Sequence, residues 1–176
     1  VQQGEEVIIF DPSYDSYAPA IVLAGGIPIR IPLNQDFSMP WEQLKSKLSN
    51  RTAIIVVNTP HNPLGLVFSQ ADWLELALII QNTDILVLSD EVYEHMVFDE
   101  KQHVSVLQIP ALANRAVSIS SFGKTFHATG WKLGYVTAKA ELSAEIRKVY
   151  QFLAFAANTP MQFAAAEFLM QNPEYE

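Results

Sequence analysis

Apolar residues in this chain gather in short runs. Glu6-Val-Ile-Ile-Phe10, Ala53-Ile-Ile-Val-Val57, Ile85-Leu-Val-Leu88 and Ala116-Val-Ser-Ile119 are near-continuous and rich in β-branched side chains. Runs of this kind, without polar alternation, predict strands buried on both faces, as in a parallel sheet covered by helices. Leu133-Gly-Tyr-Val-Thr137 and the segment 27–31 add two further strand candidates. Helical patterns lie between the runs. Residues 14–24 follow Pro12-Ser13, and residues 41–49 follow Pro40. Residues 69–81 open with Ser69-Gln-Ala-Asp72, a serine with an acid three positions on, which resembles a capping box. Residues 140–156 place Leu142, Ile146, Val149, Tyr150 and Leu153 on one face of a helix. A last helix is expected over residues 161–170. Strands and helices alternating at this spacing predict βαβ units. The expected fold is α/β, a mostly parallel sheet with helices on both faces in three layers.

In open α/β sheets ligands bind just beyond the carboxyl ends of the strands. Here those ends are polar: Val57 is followed by Asn58-Thr-Pro-His-Asn-Pro-Leu-Gly65, Leu88 by Ser89-Asp-Glu-Val-Tyr93, and Ile119 by Ser120-Ser-Phe-Gly-Lys124-Thr125. Two chemistries compete for these loops. Gly123-Lys-Thr125 ends like a phosphate-binding P-loop, and Asp90-Glu91 after an apolar run looks like the acidic strand that holds magnesium in such proteins. That pattern needs a glycine at position 118, where Ser118 stands. Without it the turn that aims backbone N–H groups at phosphates is not supplied. The acidic strand also precedes the lysine loop, the reverse of the P-loop order. The other chemistry is a pyridoxal phosphate site. It needs a lysine for the Schiff base and an aspartate to pair the pyridinium nitrogen. It also needs donors for the ring hydroxyl, a stacked aromatic and a phosphate clamp, and the three loops supply candidates in a consistent order.

Composition narrows the classes further. A chain of 176 residues, 49% hydrophobic and 17% charged, has room for about one domain. The sequence has no cysteine, which excludes a disulfide framework and cysteine-ligated metal sites and fits a cytoplasmic location. Eleven basic against nineteen acidic residues give a net charge of −8, which argues against nucleic acid or an anionic membrane as partner. No apolar run reaches the roughly 18 residues needed to span a bilayer. His61, His95, His103 and His127 show no metal-ligand spacing, so no metal is expected. Asn50-Arg-Thr52 is a formal glycosylation acceptor and is read as chance. The chain begins at Val1 without a methionine and enters a strand within a few residues, so it is expected to be a piece of a longer protein.

Four ordered motifs, Asn62-Pro-Leu-Gly65, Ser89-Asp-Glu-Val-Tyr93, Ser121-Phe-Gly-Lys-Thr125 and Gly130-Trp-Lys-Leu-Gly134, give the chain a family likeness. It resembles the fold-type I pyridoxal phosphate enzymes of the aspartate aminotransferase superfamily, the class I/II aminotransferases, over essentially its whole length. Through Asp11-Pro-Ser-Tyr-Asp-Ser-Tyr17 and Gly130-Trp-Lys132 it is most similar to the methionine and kynurenine/glutamine aminotransferases. The resemblance implies catalytic roles for Lys124, Asp90 and Tyr93. Lys124 would carry the cofactor, and Asp90 would accept the pyridinium N–H in a charge-assisted bond. Tyr93 and Asn62 would bond the ring hydroxyl oxygen, with Asn62 also facing the substrate. Ser121 and Lys132 would hold the phosphate. Many members place arginine at the position of Lys132, and a lysine offers a point charge where arginine offers a fork. Tyr14 would stack on the ring, and Phe155 would line the substrate pocket of a neighbouring subunit. Taken one by one, these residues have plainer readings: Asp90 as a helix cap, Tyr14 and Phe155 as packing aromatics, Asn62-Pro63 as a turn.

The implied activity moves an amino group from methionine, an aromatic or a kynurenine-like amino acid to a 2-oxo acid. The implied enzyme is a cytoplasmic homodimer whose partners are small molecules, not nucleic acid or membrane. A C–S β-lyase of the same fold would use the same lysine and aspartate, and an inactive truncated product is a third reading. On the family pattern, residues 1–176 are the central part of the cofactor-binding large domain. The N-terminal arm, the upstream phosphate-cradling loop and the C-terminal small domain, with its carboxylate-gripping arginine, would lie outside it.

Overall fold

The computed structural model describes residues 1–173. Six strands form one sheet: β1 (Glu6–Asp11), β2 (Ile27–Pro32), β3 (Thr52–Asn58), β4 (Leu86–Asp90), β5 (Ala116–Ser120) and β6 (Tyr135–Ala138). Their spatial order is β2-β1-β3-β4-β5-β6. The first five run parallel and β6 is antiparallel to β5. This is the mostly parallel α/β sheet that the unbroken apolar runs predict.

The chain leaves β1 in one direction to form β2, then returns past β1 to form β3. Right-handed crossovers on both sides of such a reversal put the two connecting helices on opposite faces. Accordingly α1 (Tyr17–Leu23) covers one face, burying Ala18 and Ile21 against Val7, Ile9 and Val56. The opposite face carries α2 (Trp41–Lys47), α3 (Gln70–Ile80) and α4 (Pro110–Ala113) over Ile8, Phe10, Ile55, Val57 and Val87. Each fully buried aliphatic side chain contributes about 1.5–3 kcal/mol. The second face buries Ile8, Leu44, Ile55, Leu76, Ile80 and Leu112 to 1% exposure or less, so most of the hydrophobic stabilisation sits there. Helix α3 starts as its sequence requires: the Ser69 side chain accepts from the Asp72 N–H, and the Asp72 carboxylate accepts from the Ser69 N–H.

Several boundaries differ from the sequence pattern, each for a local reason. The helix expected over 14–24 begins only at Tyr17. The Ser13 hydroxyl donates back to Asp11, and the Tyr17 N–H closes a turn onto the Tyr14 carbonyl, so Tyr14 stands ahead of the helix. Helix α2 stops at Lys47, because Leu48 is extended. Asp90 does not cap a helix: β4 ends there, and the chain continues through turns closed by Glu94 N–H to Glu91 O and Met96 N–H to Tyr93 O. A short helix, α5 (Phe122–Thr125), follows β5. Strand β6 begins later than Leu133 because Gly134 passes against the end of β5, where a Cβ would sit 2.6 Å from the Ser120 carbonyl oxygen. Helix α6 (Ala140–Leu153) ends before residue 156, since Phe155 takes a left-handed conformation, φ 62°, that a helix cannot continue. Helix α7 (Thr159–Gln171) starts two residues before its expected position. The Asn158 side chain accepts from the Met161 N–H, and Pro160 fits the first turn.

Candidate functional site

The reversal of chain direction between β1 and β3 opens a crevice at the carboxyl ends of the parallel strands, the place where such sheets take ligands. Each strand there delivers a different group. Strand β3 ends at Asn58 and β4 at Asp90, and the two residues are paired in register. The Asn58 side chain donates to the Asp90 carbonyl at 2.9 Å and accepts from the Asn62 N–H at 2.7 Å. Asn58 thereby sets the start of the loop that presents Asn62. His61 in the same loop closes it through backbone, its N–H donating to the Leu66 carbonyl at 2.8 Å. Burial holds that imidazole below the ordinary histidine range.

The Asp90 carboxylate accepts the Tyr17 hydroxyl proton on Oδ2 and a long bond from the Val92 N–H, 3.3 Å, on Oδ1. Burial pushes its carboxyl above the ordinary aspartate range, against the pull of those two donors and of the Lys124 charge. Burial, with the Asp90 charge after it, also drives the Tyr17 hydroxyl far above the usual phenol value, so Tyr17 stays a donor at every physiological pH. Tyr14 meets Tyr17 edge to face, with ring centroids 5.5 Å apart. Lys124 rises from α5 with its Nζ 5.1 Å from the centroid of the Tyr93 ring, within cation–π range. The helix that carries it is packed tightly at its second residue. A Cβ on Gly123 would meet Thr129 Cα at 3.1 Å, so a larger residue would displace the turn.

Five of the residues expected from sequence therefore line one cavity of about 230 Å3: Tyr14, Asn62, Asp90, Tyr93 and Lys124. Ser121, Lys132 and Phe155 do not line it. Ser121 precedes α5, where its carbonyl accepts from the Thr125 hydroxyl. Lys132 is exposed at a left-handed turn, φ 54°. Phe155 lies 83% exposed beyond α6. Sequence reasoning missed Tyr17 and Asn58. Tyr17 was hidden inside a helical pattern, although its spacing of three from Tyr14 puts two phenols on one turn. Asn58 was signalled as the polar residue that closes an apolar strand. Among the described residues no group of three or more histidines and acids is placed to hold a metal, and no helix is long and apolar enough to cross a membrane.

The family model described as aminotransferase class I and II matches residues 1–176. Methionine aminotransferase of Escherichia coli K12 is 53% identical over 176 residues, which are 99% of this chain and 46% of that protein. Kynurenine–oxoglutarate transaminase 1 of Rattus norvegicus is 38% identical over 179 residues, covering 95% of this chain and 42% of the relative. Among solved structures, one described as identifying a methionine aminotransferase function in Escherichia coli superposes with a TM-score of 0.96, covering 99% of this chain and 47% of that one. N-succinyldiaminopimelate aminotransferase from Mycobacterium tuberculosis superposes with a TM-score of 0.94 at 36% identity, over 99% of this chain and 46% of that one. The chain thus spans about half the length of the curated relatives it matches. Sheet order, strand-end chemistry and these likenesses agree: the chain belongs to the aminotransferase class I and II family.

Proposed function

We propose that this chain forms the cofactor-binding core of a pyridoxal phosphate-dependent aminotransferase acting on amino acids with apolar side chains, methionine, aromatic or kynurenine-like, and on a 2-oxo acid acceptor. The observation that carries this reading is the meeting of a half-buried Asp90 and Lys124 in one aromatic-walled cavity. The donor set suits the group. Asp90 Oδ1 holds only a long bond to the Val92 N–H, which leaves it acceptor capacity for a cationic N–H. Tyr14 offers a face for a planar ring, and Tyr93 and Asn62 offer donors for a ring hydroxyl oxygen.

Pyridoxal phosphate, when bound, supplies the electron sink that makes a substrate Cα proton removable. The chain's own residues do the rest. Asp90 would pair the ring nitrogen, and Tyr17 would hold the Asp90 carboxylate in place for it. Lys124 would anchor the cofactor and, beside the bound substrate, would move the Cα proton. Ser121 and Lys132 meet the phosphate from the β5–β6 connection, and Phe155 serves the pocket of a partner subunit. The exposure of Phe152, Phe155 and Phe163 at 87%, 83% and 73% supports a homodimer that covers them. The reading also makes the enzyme cytoplasmic, with no nucleic acid or membrane partner. Residues 1–176 are then the central part of its large domain.

The test uses the full-length protein with methionine and a 2-oxo acid. Stoichiometric conversion of methionine to its oxo acid, with amino-group transfer to the acceptor, is the expected result. Ammonia and pyruvate released from a cysteine conjugate, without transfer, would make the protein a β-lyase instead.

A further inference from the structure

Asp90 closes β4, and Glu91 follows it just outside the strand with its side chain on the side of Ser89. Asp90 faces the cavity. Glu91 is 3% exposed, and its carboxylate is fully engaged. Oε1 accepts the Ser89 hydroxyl at 2.7 Å and the Val106 N–H at 3.0 Å, and Oε2 lies 3.1 Å from His103 Nε2. A carboxylate only accepts, so Nε2 carries the proton in that bond. Burial alone would raise the Glu91 carboxyl, but the His103, Val106 and Ser89 bonds outweigh it and hold the group below the ordinary glutamate range.

These contacts close a loop. The chain leaves the sheet at Glu91, whose N–H donates to the Ile119 carbonyl at 2.8 Å, and regains the core at Val106, which is fully buried. Between them, residues 92–105 run out to an exposed tip, with Phe98 at 76% exposure and Asp99 and Glu100 in left-handed conformations. Tyr93, the ring that faces Lys124, is the second residue of this excursion. An exposed tip cannot hold Tyr93 in place, so its position is set at the root. Glu91 ties that root to His103 and Val106, and the Trp73 indole adds a bond to the Val104 carbonyl at 2.8 Å.

We propose that Glu91 and His103 are positioning residues, a buried acid–imidazole clamp that closes the loop 92–105 so that Asp90 and Tyr93 address the same cavity at fixed spacing. The inference rests on the reading of that cavity as the cofactor site. Neither residue lines the cavity. Beside the loop, the Glu91 charge acts on Asp90 through space and, after burial, raises its carboxyl. Glu91→Gln, which removes that charge and keeps the acceptor, separates the two routes.

The experiment compares wild-type full-length protein with Glu91→Gln, Glu91→Ala, His103→Ala and the double variant Glu91→Ala/His103→Ala. Three quantities are read: affinity of the apoprotein for pyridoxal phosphate, pH titration of the absorbance of the Lys124-bound cofactor, and thermal stability. Glu91→Ala is expected to weaken cofactor binding by about tenfold or more, the scale of a lost bond to a charged group, and to shift the absorbance titration. Glu91→Gln, which keeps the acceptor for Ser89 and Val106, should recover much of both. The double variant should bind little worse than Glu91→Ala alone, because the two side chains act as one unit. If Glu91→Ala does not fold, Glu91→Gln and His103→Ala carry the comparison, with a smaller shift of the same kind expected in each. Wild-type affinity and titration in every folded variant, whatever their melting temperatures, would reduce the clamp to a stability element and overturn the proposal. Borohydride fixation of cofactor to Lys124 in the wild type separates the two failures. Fixation at another lysine removes the cofactor reading and the proposal with it, whereas fixation at Lys124 with unaffected variants removes the clamp alone.

Discussion

The sheet holds an acid at each of its ends, one buried and one half-buried, and the two are treated in opposite ways. At the amino end, Glu6 is 5% exposed and accepts the Ser49 hydroxyl at 2.6 Å, with the Arg51 guanidinium and the Thr52 hydroxyl alongside. The Ser49 bond, with Arg51 and Thr52 against the opposing effect of burial, holds its carboxyl below the ordinary glutamate range. At the carboxyl end, Asp90 has a phenol and one long N–H bond, and burial holds its carboxyl above the ordinary range. The first acid is satisfied by the protein itself, and a cation is built in. The second is ionised at a cost set by burial, which the Lys124 charge and the two donors offset only in part. A carboxyl raised by burial where it lines a cavity is a candidate binding group, the role proposed above for Asp90.

The largest effect that would sharpen this contrast is at Lys124. Lys124→Ala in the full-length protein should abolish transamination and prevent borohydride from fixing cofactor to the chain, though cofactor can still bind noncovalently. Persistent covalent labelling at a different lysine, found by peptide mapping, would show the cavity has been assigned to the wrong chemistry.

Asp90→Asn should slow turnover next most severely. Asparagine keeps the shape but cannot stabilise a ring cation, and the lost charge-assisted bond is worth about 1.5–3 kcal/mol, roughly ten- to over a hundredfold in rate. The same substitution should raise the melting temperature of the apoprotein at neutral pH. The sign follows from the raised carboxyl. Its charged form is costly in the folded state at any pH above that raised value, and the cost vanishes below the ordinary aspartate value of 3.8. A variant less stable than wild type with unchanged turnover would mean that Asp90 is structural, like Glu6.

Tyr17→Phe is a milder break. It removes one donor to Asp90, about 1 kcal/mol or roughly fivefold in kcat. Loss of a donor to the charged form raises the Asp90 carboxyl further, so any acidic limb of the pH–rate profile governed by Asp90 should move to higher pH. A profile unchanged in position would detach Tyr17 from the site.

Glu6→Ala should leave turnover alone. It strips the partners of Ser49 and Thr52 and should destabilise the fold by about 1–3 kcal/mol, seen in denaturant midpoints. The contribution it removes is complete above the ordinary glutamate value of 4.5 and fades as pH falls below it, so wild type and variant should converge in acid. A change in kcat would show that the two ends of the sheet are coupled.

Much of this was readable along the chain, for reasons that are local. Buried strands must be apolar on both faces, so β1, β3, β4 and β5 stand out as unbroken runs. A capped helix announces itself within four residues, as Ser69 and Asp72 do at α3. Polar groups directly after a buried strand lie at the rim by geometry, which is why Asp90 and Lys124 were legible without any knowledge of their neighbours. Ser121, Lys132 and Phe155 rest on family likeness alone, since their motifs fix residue types and not the cavity they would face.

Other features depend on pairings between distant segments. Strand β6 runs antiparallel to β5, and a five-residue strand pattern reads the same either way up. That Asn58 lies opposite Asp90 is a matter of register, where a slip of one residue would turn both side chains to the other face. Tyr17 reaches Asp90 from 73 positions away, and His103 reaches Glu91 across an exposed loop. Asp-Glu in a sequence is two similar acids. Folding gave one of them three partners and the other a cavity, because their side chains leave the end of β4 on different sides and meet whatever the rest of the chain has placed there.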